Sequence, residues 1–369
     1  MKVKMGKKYY LIFIVGFIII LVILWISFFK TNDSIKVGLI LSLSGVGKNS
    51  GQDILKGILL AVDETNRWGG INNKKVKLII RDCESNPDKA VKIFNEIEKR
   101  EKPLLYISNL SSVSIKLSEE AEKNKVVLCA LASTDLKIVE DNTYTYRYWL
   151  PLETEVESLF EIFYKLNVEN IALLYCNEQF AKSLKDSIIK KNSKYKITSQ
   201  FYESIEKDLD EIIKQIIDKE AVCLITYDSQ MAPIINCLKE NNYKGNIIGM
   251  NSIMSSFLRK DFRIERFYAS SPLIYNGNYQ FANRVKINYE KKFNNKFNHF
   301  SGNGYDMIQI IFDILKDKNI DRVSLEKYLN IGFVHTGVFG TLVVKKGMHD
   351  FYINLYPVKV ENGKIIFDW

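Results

Sequence analysis

The residues with the widest chemical reach are five cysteines, three histidines and a pair of serines at the head of a helix. Cys83, Cys129, Cys176, Cys223 and Cys237 form no C-x-x-C pair, and an odd number cannot pair fully within one chain. Three sit in the apolar runs KVVLCAL, IALLYC and AVCLITY, where a thiol packs as a small buried hydrophobe. His299, His335 and His349 lack the spacing of a metal site. The sequence has no G-x-S-x-G, no P-loop, no G-x-G-x-x-G and no paired His/Cys or His/carboxylate arrangement, so neither an enzyme nor a cofactor or metal is expected. Gly69-Gly70 closes a helix rather than opening one, which excludes it as a phosphate cradle. Ser111 and Ser112 lie where a strand hands over to a helix. Backbone N–H groups and a hydroxyl there can hold a carboxylate without a formal cation, and a serine there can equally serve as an ordinary N-cap. Asp228 has the same two readings, helix N-cap or acid partner for a cationic ligand.

These residues must be positioned by regular elements, and the pattern after residue 34 supplies them. Ile35–Leu41 is a continuous apolar-rich run, as expected for a parallel strand covered on both faces. Residues 50–67 follow as a helix, with Ile54, Leu55, Ile58, Leu59 and Val62 on one stripe. Strands at 76–80, 104–107 and 126–130 alternate with helices at 87–100 and 112–123. A second series begins after residues 144–149, with strands at 171–175, 221–227 and 246–250 and helices between them. Two βα series predict an α/β protein with two doubly wound, Rossmann-like lobes. Helices at 278–293 and 304–316 predict a return to the first lobe, and short antiparallel strands are expected at the end of the chain.

Apolar residues are 47% of the 369, enough for a sizeable core. Five of the nine net positive charges belong to Lys2, Lys4, Lys7, Lys8 and Lys30, in a segment with no acid. The rest of the excess is dispersed, so no nucleic-acid partner is expected. Tyr9 to Phe29 is 21 residues broken only by Gly16 and Ser27. At helical rise it spans roughly 31 Å, the thickness of a bilayer core. Lysines before it place the N-terminus in the cytoplasm. The run exceeds the ~7–15 residues of a signal-peptide core and no A-x-A-like site follows, so an uncleaved anchor is expected at the cell membrane, single-pass, with the bulk of the chain outside. Thr31 to Ser34 form a tether reaching about 13 Å.

Residues 35–100 resemble the opening of the type I periplasmic binding proteins, the leucine/isoleucine/valine-binding group of ABC importers. The turn is Leu43-Ser44-Gly45, and the helix carries Gly51-Gln52-Asp53 and Gly57 before Asn66-Arg67-Trp68-Gly69-Gly70-Ile71-Asn72. Arg81-Asp82, Asn86-Pro87, Ala90, Ser111-Ser112, Ala132-Ser133-Thr134, Tyr146-Arg147, Tyr227, Gly304-Tyr305-Asp306 and Thr336-Gly337-Val338-Phe339-Gly340 continue it to about residue 365. The apolar run and its lysines thus give a basic tail at 1–8 and an anchor at 9–29. With the resemblance, lobe 1 is expected at 35–148 plus 277–340, lobe 2 at 149–276 plus 341–369, and three hinge crossings near 148–151, 274–277 and 339–341.

The resemblance also implies site residues. The carboxylate-holding positions fall on Ser111 or Ser112 and on Leu131, Ala132 and Ser133. Second-lobe aromatics fall on Phe180 and Tyr227, and Phe180 fits core and ligand wall equally. The acid that receives a ligand ammonium falls near Asn251, and a frequently aromatic position falls on Ser50. Asn251 cannot neutralise an ammonium, and Ser50 removes an apolar wall. Either the ligand departs from a standard α-amino acid, or another acid such as Asp228 substitutes. The expected function is capture of a small solute, an amino acid or related carboxylate, for an ABC permease. The alternative is a ligand sensor read by a signalling membrane protein.

Overall fold

The computed structural model describes Gly16, Phe17, residues 34–253, 266–316, 318, 320–361, 364–367 and Trp369. The expected tail at 1–8 and nearly all of the expected anchor at 9–29 lie outside the described residues. Among the described residues no helix is long and apolar enough to cross a membrane.

The first series runs β1 (Ile35–Leu41), α1 (Lys48–Arg67), β2 (Val76–Asp82), α2 (Pro87–Arg100), β3 (Leu105–Asn109), α3 (Ser111–Asn124), β4 (Val127–Leu131) and β5 (Thr145–Trp149). The second runs α4 (Leu152–Lys165), β6 (Asn170–Cys176), α5 (Gln179–Lys191), β7 (Lys196–Tyr202), α6 (Ile205–Ile216), β8 (Ala221–Ile225), α7 (Asp228–Glu240), β9 (Asn246–Gly249) and β10 (Phe267–Pro272). Then come α8 (Gln280–Phe293), α9 (His299–Leu315), α10 (Ser324–Asn330), β11 (Phe333–Gly337), β12 (Gly340–Val344), β13 (Asp350–Tyr352), β14 (Leu355–Glu361) and β15 (Lys364–Ile366).

These strands form two sheets of the same winding. The first has the order β2-β1-β3-β4-β5-β13, with every pairing among the described residues parallel. The second has β7-β6-β8-β9-β10, then β14 and β15 added antiparallel. In each, strand order reverses once, between β1 and β3 and between β6 and β8. Crevices open at such switch points, outside the carboxyl ends of the strands. Inner strands β3, β4, β5 and β8 are buried along their whole length, and β4 and β8 read as unbroken apolar runs for that reason. The polar edge strand β7 carries a weak sequence signal because half its residues face water. It was not expected, and neither was β10.

Helix α9 returns to the first lobe and packs along α1, as the sequence predicts. The approach is close because glycines face backbone. A Cβ on Gly57 would stand 2.0 Å from the Ser301 carbonyl oxygen, and one on Gly304 2.3 Å from that of Ile54. Backbone cannot swing aside as a side chain can, so Gly57→Ala must part the two helices. Its expected cost is about 3 kcal/mol, the upper end of over-packing losses, read as a lower urea midpoint at unchanged slope. A loss within experimental error would show that the helices are free to separate.

The expected lobe division needs one correction. Residues 341–369 were assigned together to lobe 2. Strand β13 instead pairs parallel with β5, Asp350 opposite Arg147 and Tyr352 opposite Trp149. Strand β12 pairs with β11, and only from Leu355 does the chain join the second sheet. The third crossing therefore lies at 353–354, not 339–341. An ion pair holds the strand there: Arg147 Nε and Nη2 donate to the two Asp350 oxygens at 2.5 and 2.8 Å.

Candidate ligand site

The two switch points face one another across a cavity of about 470 Å3, part of it open to solvent. The first lobe contributes Ser50, Leu110, Ser111, Ala132 and Thr134, and the second Phe180, Tyr227, Asp228, Met250, Asn251 and Ser252; Trp149 and Phe300 close it on the hinge side. The lobes touch around it. Ser229 Oγ donates to the Val46 carbonyl at 3.1 Å, and Gln179 Nε2 and Ser183 Oγ each donate to Asp135 Oδ2 at 3.1 Å.

The first-lobe wall is built from backbone turned toward the cavity. Leu110 precedes α3 with φ 70°, a left-handed bend, and no side chain caps the helix start. The first N–H groups of a 14-residue helix are thus presented beside Ser111. Ser111 Oγ accepts from Thr134 N at 3.2 Å, tying the ends of β3 and β4 together. Asn109 spans the switch point: its Oδ1 accepts from Ser42 N at 2.9 Å and its Nδ2 donates to Ser50 Oγ at 3.4 Å. The second-lobe wall is aromatic, with Phe180 and Tyr227 ring centroids 4.8 Å apart. Trp149 stacks on Phe300 with centroids at 5.3 Å.

Of the nine sequence-derived site residues, Ser50, Ser111, Ala132, Phe180, Tyr227 and Asn251 line this cavity, while Ser112, Leu131 and Ser133 do not. Leu131 is core, at the end of β4. Ser133 is fully buried, with Oγ donating to the Leu131 carbonyl at 2.9 Å and sharing a hydrogen bond with Ser114 Oγ at 3.2 Å. The chain leaves β4 at Leu131 through a left-handed turn at Ala132, φ 46°, after which Ala132 and Thr134 line the cavity and Ser133 lies in the core. Ser112 stands half-buried outside the lining. Leu110, Thr134, Trp149, Met250, Ser252 and Phe300 were missed as lining residues. Phe300 carried no signal in the sequence, because α9 reaches the hinge only in the folded chain.

Among the described lining residues Asp228 alone carries a formal charge. Asn251 has a buried acid behind it. Glu155 in α4 is fully buried, and its carboxylate accepts from Asn251 N at 3.1 Å, from Asn251 Nδ2 and from Ser270 Oγ. Burial pushes its carboxyl up to about 7, against the hydrogen bonds from Ser270 and Asn251. A carboxyl raised from 4.5 unfolded to about 7 folded contributes stability that is full below 4.5 and lost as pH rises through 7. Asp306, buried and raised to about 6, acts in the same direction. Unfolding free energy is therefore expected to fall between about pH 4.5 and 7.5, and Glu155→Gln to flatten most of that slope in urea titrations. An unchanged slope would mean that Glu155 is ionised throughout.

The sequence matches the periplasmic binding protein family model over residues 34–364. An amino acid binding protein of Pseudomonas aeruginosa is 20% identical over 224 residues, 58% of this chain and 60% of its own. A Leu/Ile/Val-binding protein homolog of Brucella abortus is 24% identical over 60% of this chain and 62% of its own. The matched region thus spans about three fifths of the length of these relatives. A branched-chain amino acid substrate-binding protein of Streptococcus pneumoniae, solved with isoleucine, superposes with a TM-score of 0.80 at 19% identity, covering 90% of this chain and 98% of that one. A solute-binding protein of Rhodopseudomonas palustris, solved with 3,4-dihydroxybenzoic acid, gives 0.77 at 18% identity, covering 90% and 95%. With the matched model running nearly end to end over two sheets that share one winding, the chain belongs to the periplasmic binding proteins, in their type I, leucine/isoleucine/valine-binding-like group, and is a binding protein rather than an enzyme.

Proposed function

We propose that the protein closes its lobes on a small zwitterion, an amino acid with an apolar or aromatic side chain, and hands it to an ABC permease from a position anchored outside the membrane by residues 9–29. One observation carries this reading: the cavity has an uncapped helix start and hydroxyls on one side and Asp228 on the other. A carboxylate fits the N–H groups beside Ser111, and an ammonium fits Asp228. The rings of Trp149, Phe180, Tyr227 and Phe300 suit an apolar side chain between them. The isoleucine and dihydroxybenzoate bound by proteins of the same fold support both the size and the carboxylate. Ser50, Ser111 and Thr134 would hold the acid end. Ser112, Leu131 and Ser133 are not assigned ligand contacts.

Calorimetry of the full-length chain against amino acids and against the same carboxylates without the amine tests the reading. Binding is expected to be tighter where both charges are present, and silence across the panel from folded protein would sink it. The four-residue tether also suits a sensor read by a neighbouring membrane protein. Permease and ATPase genes beside this one favour transport, and a signalling kinase without them favours sensing.

A further inference from the structure

We propose that Glu155, buried behind Asn251, sets which polar atom Asn251 shows the cavity, and that protonation of Glu155 turns this part of the site from a hydrogen-bond acceptor into a donor. The amide has two polar ends. With Asn251 Nδ2 donating to Glu155 Oε2, the carbonyl Oδ1 is turned away from the carboxylate, and Asn251 itself lines the cavity. The backbone N of Asn251 and the Ser270 hydroxyl both donate to Glu155 Oε1, so that oxygen is fixed as an acceptor and Oε2 is the one free to take a proton. An acid expected at the cavity wall has thus moved one layer back, and a neutral amide polarised by a buried anion stands in front of it.

When a proton from solvent binds Oε2, that oxygen becomes a donor and repels Nδ2. Its acceptor is then Asn251 Oδ1, which the amide reaches by turning over, and Nδ2 faces the cavity instead. No other charge has to move. Among the described residues β8 contributes the Cys223 thiol near Glu155, a neutral group that burial pushes up; β10 contributes Ser270. Among the described residues no lysine, arginine, histidine or second carboxylate acts on Glu155 from β10, β14 or α5. Burial places the titration near neutrality, where small pH changes move it. A ligand ammonium would meet an acceptor above that point and a donor below it, which makes the switch a pH control on the amino-acid site proposed above and dependent on that reading for its ligand.

Two measurements on the full-length chain in detergent separate the switch from the functional reading. The first is infrared titration from about pH 5.5 to 8.5 with asparagine carrying 13C at Cγ. A protonated-carboxyl band removed by Glu155→Gln should appear toward low pH together with a shift in the carbonyl band that Asn251→Ala removes. The second is calorimetry with L-leucine as probe. Affinity should fall at least about tenfold from pH 8.5 to 5.5, and Glu155→Gln, which offers Asn251 a permanent donor, should bind weakly with no pH dependence. The proposal is overturned if no such carboxyl band appears, if the asparagine band stays fixed, or if Glu155→Gln keeps the wild-type pH profile. If the two bands shift together but leucine never binds, the switch stands and the amino-acid reading falls.

Discussion

Asp228→Asn should weaken binding of L-leucine about 100-fold, the loss expected when one partner of a desolvated charge pair is neutralised. It should leave the amine-free analogue 4-methylpentanoate no weaker. Asp228 opens α7 from the second switch point and is the one formal charge among the described lining residues. Tyr227 caps α7 and Asp228 is its first helical residue rather than the N-cap, so an asparagine of the same shape should leave the fold intact. The paired probes matter because lost packing would weaken both ligands, whereas a lost countercharge weakens only the one with an ammonium. Equal affinity of the variant and the parent for leucine in calorimetry would remove Asp228 from the site.

Asp350→Ala should destabilise the chain by about 3–5 kcal/mol, because it strands a guanidinium that is nearly out of contact with water. Arg147 is 2% exposed, and its third nitrogen, Nη1, donates to the Thr134 carbonyl at 2.5 Å. The pair therefore does two things at once. It fixes β13 on the edge of the first sheet, and it holds the chain beside the cavity at Thr134. The second role predicts weaker ligand binding as well as a lower denaturation midpoint. Arg147→Met in the same background should recover much of the stability, since an apolar chain of similar length tolerates the site that an unpaired cation does not. A double variant no more stable than Asp350→Ala alone would show that the charge is not the source of the loss.

The buried parallel strands were legible in the sequence because both faces of a central strand are covered. β1, β3, β4 and β8 could therefore be found from apolar runs alone. β7 and β10 were not, the first because it lies at an edge and is half polar, the second because Ser270, Ser271 and Pro272 interrupt its apolar run. At the site, Ser111 was legible as a strand-to-helix handover. Ser133 sits one residue from the cavity-lining Thr134 but is buried, because the chain turns at Ala132 with a positive φ that no local pattern marks.

The two-lobed architecture, the helix stop at Gly69-Gly70 and the family were determined by the sequence itself, because they rest on local periodicity and on the order of motifs along the chain. Tertiary structure alone decided where the last crossing lies and what stands behind Asn251. Glu155 is 96 residues from Asn251 and Arg147 is 203 from Asp350. No local pattern marks such pairs. Their meaning comes from burial, which makes a lone charge costly and so forces each to find its partner across the fold.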